Sequence, residues 1–139
     1  MHHDRALHGE IVETLLEALQ PQMDKLVQLT THVGADGFFV FALTPDTSPL
    51  QTESRMFCPA IGVPEDPVSG NAHGMLGVYL LANGLLVPED GVARFTGRQG
   101  RFLDRPGQVS VEIDASGKRA TSVRVAGHAT IVFQAEIEI

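Results

Sequence analysis

The stretch "NAHGMLGVYLLANG", residues 71–84, constrains the fold more than any other part of the chain. At helical spacing its apolar side chains point to nearly every side, and Asn83-Gly84 closes it. A helix that is apolar all round has to be buried on most sides. A chain of 139 residues has room for one domain with a real core and little more. The remaining elements are therefore expected to wrap this helix. Gly74 and Gly77 each cost about 1 kcal/mol against Ala within a helix. They are expected to let neighbouring backbone come close.

The flanking segments suit that role. "EIVETLLEALQ", 10–20, sets Ile11, Val12, Leu15, Leu16 and Leu19 on one helical face. Pro21 breaks the run and is placed to open a second helix, with Met23, Leu26, Val27 and Thr30 on one side and Gly34 and Gly37 at its end. "FFVFAL", 38–43, reads as a buried strand. "TPDTSPLQTE", 44–53, reads as a loop, and "SRMFCPAIGV", 54–63, as an extended segment with an irregularity at Pro59. "VARFTGRQG", "GQVSVEID" and "ATSVRVAGHATIVFQAEIEI" alternate apolar with polar, the signature of half-buried strands, and Ser116-Gly117 fits a hairpin turn. The expected class is α+β: a mostly antiparallel sheet curled around one apolar helix, as a single domain over 1–139 with 1–9 flexible.

Composition narrows the partners. The formal charge is −7 with no long basic run. Nucleic acid is therefore not an expected partner, because phosphate backbones need clustered Lys and Arg. No apolar run approaches the ~20 residues that span a bilayer, so no membrane association is expected. "MHHDRALHGE" lacks the apolar stretch of a secretory signal. The lone Cys58 cannot form an internal disulfide, so a reducing, cytoplasmic compartment is expected. No metal site is expected, because His2, His3 and His8 sit at a ragged terminus and no Cys cluster accompanies them.

The mouth of the apolar helix, "EDPVSGNAHG", residues 65–74, is the chemically suggestive stretch. On residue types alone it supports two readings. Asp66 and Ser69 can cap the helix and satisfy its orphan N–H groups. Alternatively, Gly70 and Asn71 leave those N–H groups open to a substrate carboxylate, and Asp66 holds a ligand or relays a proton. A cap and an anion site use the same geometry. His73, on the first turn, can contact the anion or simply cap and pack. Cys58 reads as a structural residue, and Arg98, Arg101 and Arg105 as solvated surface.

"RMFCPAIGVPEDPVSGNAHGMLGVYL" resembles the C-terminal half of the PhzF-like phenazine-biosynthesis isomerase family, with the look of its YddE-like branch. Arg55, Phe57, Pro59 and Gly62 match an R-x-F-x-P-x-x-G segment, and Glu65 to Ala72 match E-D-P-[VA]-[TS]-G-[SN]-A. "GRQGRFLDRPGQVSVEI" resembles the family's Q-G-x(4)-R-P-G-x-V-x-V segment, and "VRVAGHATIVFQAEI" its closing strands. The resemblance, over about residues 20–139, implies a diaminopimelate-epimerase-like domain. It also implies cofactor-free proton transfer on a small carboxylate-bearing molecule. Asp66 would be the active-site aspartate, and Gly70, Asn71 and Ala72, with His73 beside them, would meet the ligand.

The same resemblance implies that something is missing. The family's general-base glutamate lies near a G-N-P segment in the N-terminal domain, and a histidine in a G-H-x-T segment there completes the site. "GNAHG" and "GHAT", 127–130, are not those segments: both belong to this half, and His128 reads as a strand residue. The chain thus resembles half of a two-half enzyme. It would act with a complementary N-terminal-half chain, or associate as a homodimer through the face a lost domain exposes. A non-catalytic small-anion-binding or interaction domain derived from the family is the alternative.

Overall fold

The computed structural model describes residues 14–44 and 47–137. Residues 10–13 of the first expected helix, and His2, His3 and His8, lie outside the described residues. Residues 14–17 are helical. Helix α1 runs Met23–Val33, and Gly34 at its C-cap adopts a left-handed conformation, φ 68°, with its N–H on the Thr30 carbonyl. Pro21 therefore precedes the helix instead of opening it, since Gln22 is the N-cap.

The sheet contains β1 (Phe38–Thr44), β2 (Leu50–Cys58), β3 (Val63–Asp66), β4 (Val92–Gln99), β5 (Gly107–Ser116) and β6 (Arg119–Gly127). Its order is β1-β2-β4-β5-β6, with β3 alongside β2. All pairings are antiparallel except β2 with β4. That parallel step is bridged by β3 and helix α2, Gly70–Ala82, because a parallel pair needs a long crossover. β1 is a half-buried edge strand, not the buried strand its Phe-rich composition suggested. β2 reaches back to Leu50 and takes in residues expected as loop. There Leu50, Thr52 and Ser54 register against Phe95, Gly97 and Gln99 of β4. Ladder pairing overrides the local loop composition.

Helix α2 packs against β4, β5 and β6. Leu76, Leu80 and Leu81 meet Phe95, Val109, Val111 and Ile113, and all are buried. Each such side chain contributes about 1.5–3 kcal/mol of burial. Gly77 allows close packing, but against side chains: an added Cβ would stand 2.7 Å from Ile113 Cδ1. The wrap is incomplete. On the side of α2 between β1 and β6, Met75 is 66% exposed and Tyr79 53%. The strand expected to continue through the C-terminal residues ends at Gly127, so His128 follows β6 and is in no strand.

On the outer face, Arg124 bridges Glu112 at 2.6 Å and Asp114 at 2.7 Å, and Arg94 reaches Glu112 at 2.7 Å. These donors hold both carboxyls below their ordinary range.

Candidate active site at the start of the central helix

Strand β3 ends at Asp66 and leads through a three-residue turn into α2. Gln99, the last residue of β4, holds that turn. Its side-chain carbonyl accepts from Ser69 N–H at 3.1 Å, and its amide nitrogen donates to the Asp66 carbonyl. Gln99 is buried. In β4 it occupies the inward row with Ala93, Phe95 and Gly97, and its buried polar end is satisfied by these two backbone groups. Gly100 completes the seat. Its φ is +85°, and a Cβ there would fall 2.3 Å from the Arg105 carbonyl oxygen and 2.5 Å from that of Pro67.

Ser69 is the N-cap of α2, and its hydroxyl accepts from Ala72 N–H at 3.3 Å. The cap reading of the sequence is thus realised at Ser69. Asp66 does not cap. The amides of Gly70 and Asn71 have no acceptor among the described residues. They sit at the positive end of a thirteen-residue helix. A shallow cleft of about 240 Å³ borders this end, lined by Val68, Gly70, Gly107, Gln108, Gly127 and His128. Asp66 does not line it; it stands half-buried at the end of β3, opposite Met56.

His73 turns inward from the first helical turn and is fully buried. Its Nδ1 lies 2.7 Å from the Ser69 carbonyl, so Nδ1 carries the proton. Nε2 lies 3.4 Å from Ser54 Oγ, which itself donates to the Arg98 carbonyl at 2.8 Å. Phe39 meets the ring edge-on at 5.0 Å. The imidazole thus braces the helix start from beneath, facing the interior. Burial holds its pKa below the ordinary 6.5, against an opposing pull from the Ser69 carbonyl. The unfolded chain then binds the proton more readily, so stability is expected to fall as pH drops below 6.5 towards the folded value. An NMR titration of the His73 ring, run beside urea midpoints from pH 7.5 to 5.5, checks this. A ring that titrates above 6.5 contradicts it.

Gly97, directly under the ring, is the matching half of this packing. A Cβ there would stand 1.9 Å from His73 Cδ2. Gly97→Ala is expected to cost about 1–3 kcal/mol by overpacking, and should displace the His73 ring resonances in the same NMR spectrum.

The expected roles of other residues resolve simply. Cys58 is buried, and its thiol is pushed up by burial, with Asp66 and Asp36 adding to the shift. Arg98, Arg101 and Arg105 are exposed. Among the described residues no cluster of His, Cys, Asp and Glu could hold a metal, and no helix is long and apolar enough to cross a membrane. Sequence reasoning had no structural role for Gln99 and Ser54. The available signal was a polar residue at an inward position of an alternating strand.

Residues 11–135 match the phenazine biosynthesis-like protein family, PhzC-PhzF. The chain is 36% identical over 135 residues to an uncharacterized isomerase of Clostridium acetobutylicum, covering 97% of this chain and 45% of that protein. It is 38% identical over 124 residues to the uncharacterized isomerase YddE of Escherichia coli K12, covering 89% of this chain and 41% of that protein. An uncharacterized isomerase of Deinococcus radiodurans is 32% identical over 118 residues, with 85% and 37% covered. The chain therefore spans less than half the length of these relatives. With the family matched over residues 11–135, nearly its whole length, this chain belongs to the phenazine biosynthesis-like protein family.

Proposed function

We propose that this chain supplies one wall of an isomerase site that moves a proton, without a cofactor, on a small carboxylate-bearing substrate. The observation that carries the reading is the pair of amides at Gly70 and Asn71, without an acceptor among the described residues, on a helix start that Gln99 fixes through the Ser69 N–H and the Asp66 carbonyl. The substrate carboxylate binds the two amides, where the helix dipole and N–H groups favour an anion. Asp66 takes or returns the proton at the neighbouring carbon. Ala72, whose amide is engaged by Ser69, and the buried His73 shape the site beneath the ligand. The opposing proton-transfer group comes from the part of the relatives' length that the chain does not span, on the same polypeptide or on a companion. The single, buried Cys58 fits a reducing cytoplasm.

Acetate serves as the minimal probe for the binding half of this reading. Titration should shift the Gly70 and Asn71 amide resonances, and shifts confined elsewhere would contradict the assignment. The chemical half is read as deuterium uptake from D2O into carboxylates with an α-hydrogen, in the presence of that remaining part. Asp66→Asn should abolish that uptake while leaving the acetate shifts in place. A second reading, an anion-binding domain without chemistry, is favoured by the absence of Asp66 from the cleft that Gly70 lines. It predicts the acetate shifts with no uptake under any condition.

A further inference from the structure

Thr52 lies on β2 two residues before Ser54, and so on the same face of the sheet. It is fully buried. Its hydroxyl has no hydrogen-bond partner among the described residues. A buried polar group left without a partner is costly, and native proteins leave few of them.

The same layer holds a group of the opposite sense. His73 is also fully buried, and its Nδ1 gives its proton to the Ser69 carbonyl at 2.7 Å. Burial favours the neutral ring, in which Nε2 is then an acceptor. Its neighbour is Ser54 Oγ, at the long distance of 3.4 Å. Ser54 has one proton, and that proton goes to the Arg98 carbonyl at 2.8 Å. Nε2 is thus an acceptor facing an acceptor, while the Thr52 hydroxyl is a donor with nothing to donate to.

Sheet register brings the two groups to one place. Thr52 is paired with Gly97 where β2 and β4 run parallel. Gly97 carries no side chain, and a Cβ there would stand 2.2 Å from His73 Nε2. Paired residues on neighbouring strands lie about 5 Å apart, which leaves the Thr52 Cβ about 3–7 Å from Nε2. One water, with a hydrogen bond of about 2.8 Å on either side, spans that separation.

We propose that a single internal water joins Thr52 Oγ1 to His73 Nε2, accepting from the hydroxyl and donating to the ring. Its second proton goes to Ser54 Oγ, which still has a lone pair to offer. Three partners are the usual complement of a buried water. The consequence reaches the helix start, because the bond made by one ring nitrogen decides whether the other carries the proton. With Nε2 held as an acceptor, Nδ1 keeps its proton and the Ser69 carbonyl keeps its donor. Ser69 is the N-cap of α2. Thr52 is thereby a positioning residue for the helix start, whatever binds at Gly70.

The test uses the 139-residue chain at neutral pH. Long-range proton–nitrogen correlation should show the His73 ring in the Nδ1–H tautomer. Water-selective NOE and ROE spectra should connect the Thr52 methyl to a long-lived water. Thr52→Val keeps the shape and removes the donor. It should lose the water cross-peak, let the ring populate both tautomers and lower the urea midpoint. Thr52→Ser keeps the hydroxyl and should keep the Nδ1–H tautomer, even where the lost methyl lowers the midpoint. An Nε2–H ring in the parent overturns the proposal, and so does the lack of a long-lived water beside Thr52. A raised midpoint in Thr52→Val also overturns it, since that is the result for a dry hydroxyl whose removal relieves the core. The two spectra of the parent decide the matter even if Thr52→Val does not fold.

Discussion

Arg55→Met is expected to cost about 3–5 kcal/mol of stability, the usual effect of stranding one member of a buried ion pair. Arg55 is 8% exposed. Its Nε and Nη2 donate to both oxygens of Glu65, at 2.9 and 2.8 Å. Its Nη1 donates to the carbonyls of Leu16 and Leu19, at 2.8 and 3.0 Å. Phe57 and Phe102 hold the guanidinium between them, at 4.9 and 5.2 Å. One planar, five-donor group thus ties the N-terminal helical residues to β2 and β3. Methionine replaces the stem but no donor. The Glu65 carboxylate and the Leu19 carbonyl then lose their partner, and the Leu16 carbonyl keeps only the long bond from Leu19 N–H at 3.4 Å. Thermal denaturation should show a fall of about 10–20 °C for a domain of this size. Adding Glu65→Leu to Arg55→Met should recover part of the loss, because the stranded charge goes with it. A single variant within 1 kcal/mol of the parent would show that water fills this clamp.

The second large effect is expected at Gln99. Gln99→Leu keeps the volume and removes both hydrogen bonds to the Asp66–Ser69 turn. Orphaning a buried donor or acceptor costs about 1–3 kcal/mol, and here one of each is orphaned, so about 2–6 kcal/mol is expected in urea denaturation. The consequence reaches the site. The turn sets the angle at which α2 begins and so where the Gly70 and Asn71 amides point. Gln99→Leu should therefore weaken the acetate response of those amides, whereas Arg55→Met, acting on the opposite face of the sheet, should leave it largely intact once the protein is folded. If the two variants lose the response in parallel with stability, Gln99 has no separate positioning role.

Arg55 and Glu65 show how a motif can mislead about function. In the sequence they stand inside the stretches that resemble a family active site, next to Asp66. In the structure they hold the domain together, while the proposed site residues are their neighbours. Nothing in one-dimensional spacing separates these roles, because adjacent residues of β3 point to opposite faces. Glu65 turns to the outer face and Arg55, and Asp66 turns away from it. His73 is a similar case. Its place beside the helix-start amides in sequence is a place beneath them in space, since helical rotation carries it inward over Gly97.

The sequence by itself determined the class of fold and the place of the capped helix start. An all-round apolar helix has to be enclosed, period-two segments have to form the enclosing sheet, and small polar residues before that helix have to form its capped mouth. Those are local consequences of side-chain pattern and backbone hydrogen bonding. Only the tertiary structure decided which side of the helix stays open, that β1 is an edge, that Gln99 seats the turn, and which way Glu65, Asp66 and His73 face. These depend on strand order and register across residues far apart in the chain, where a one-residue shift would turn every side chain to the other face.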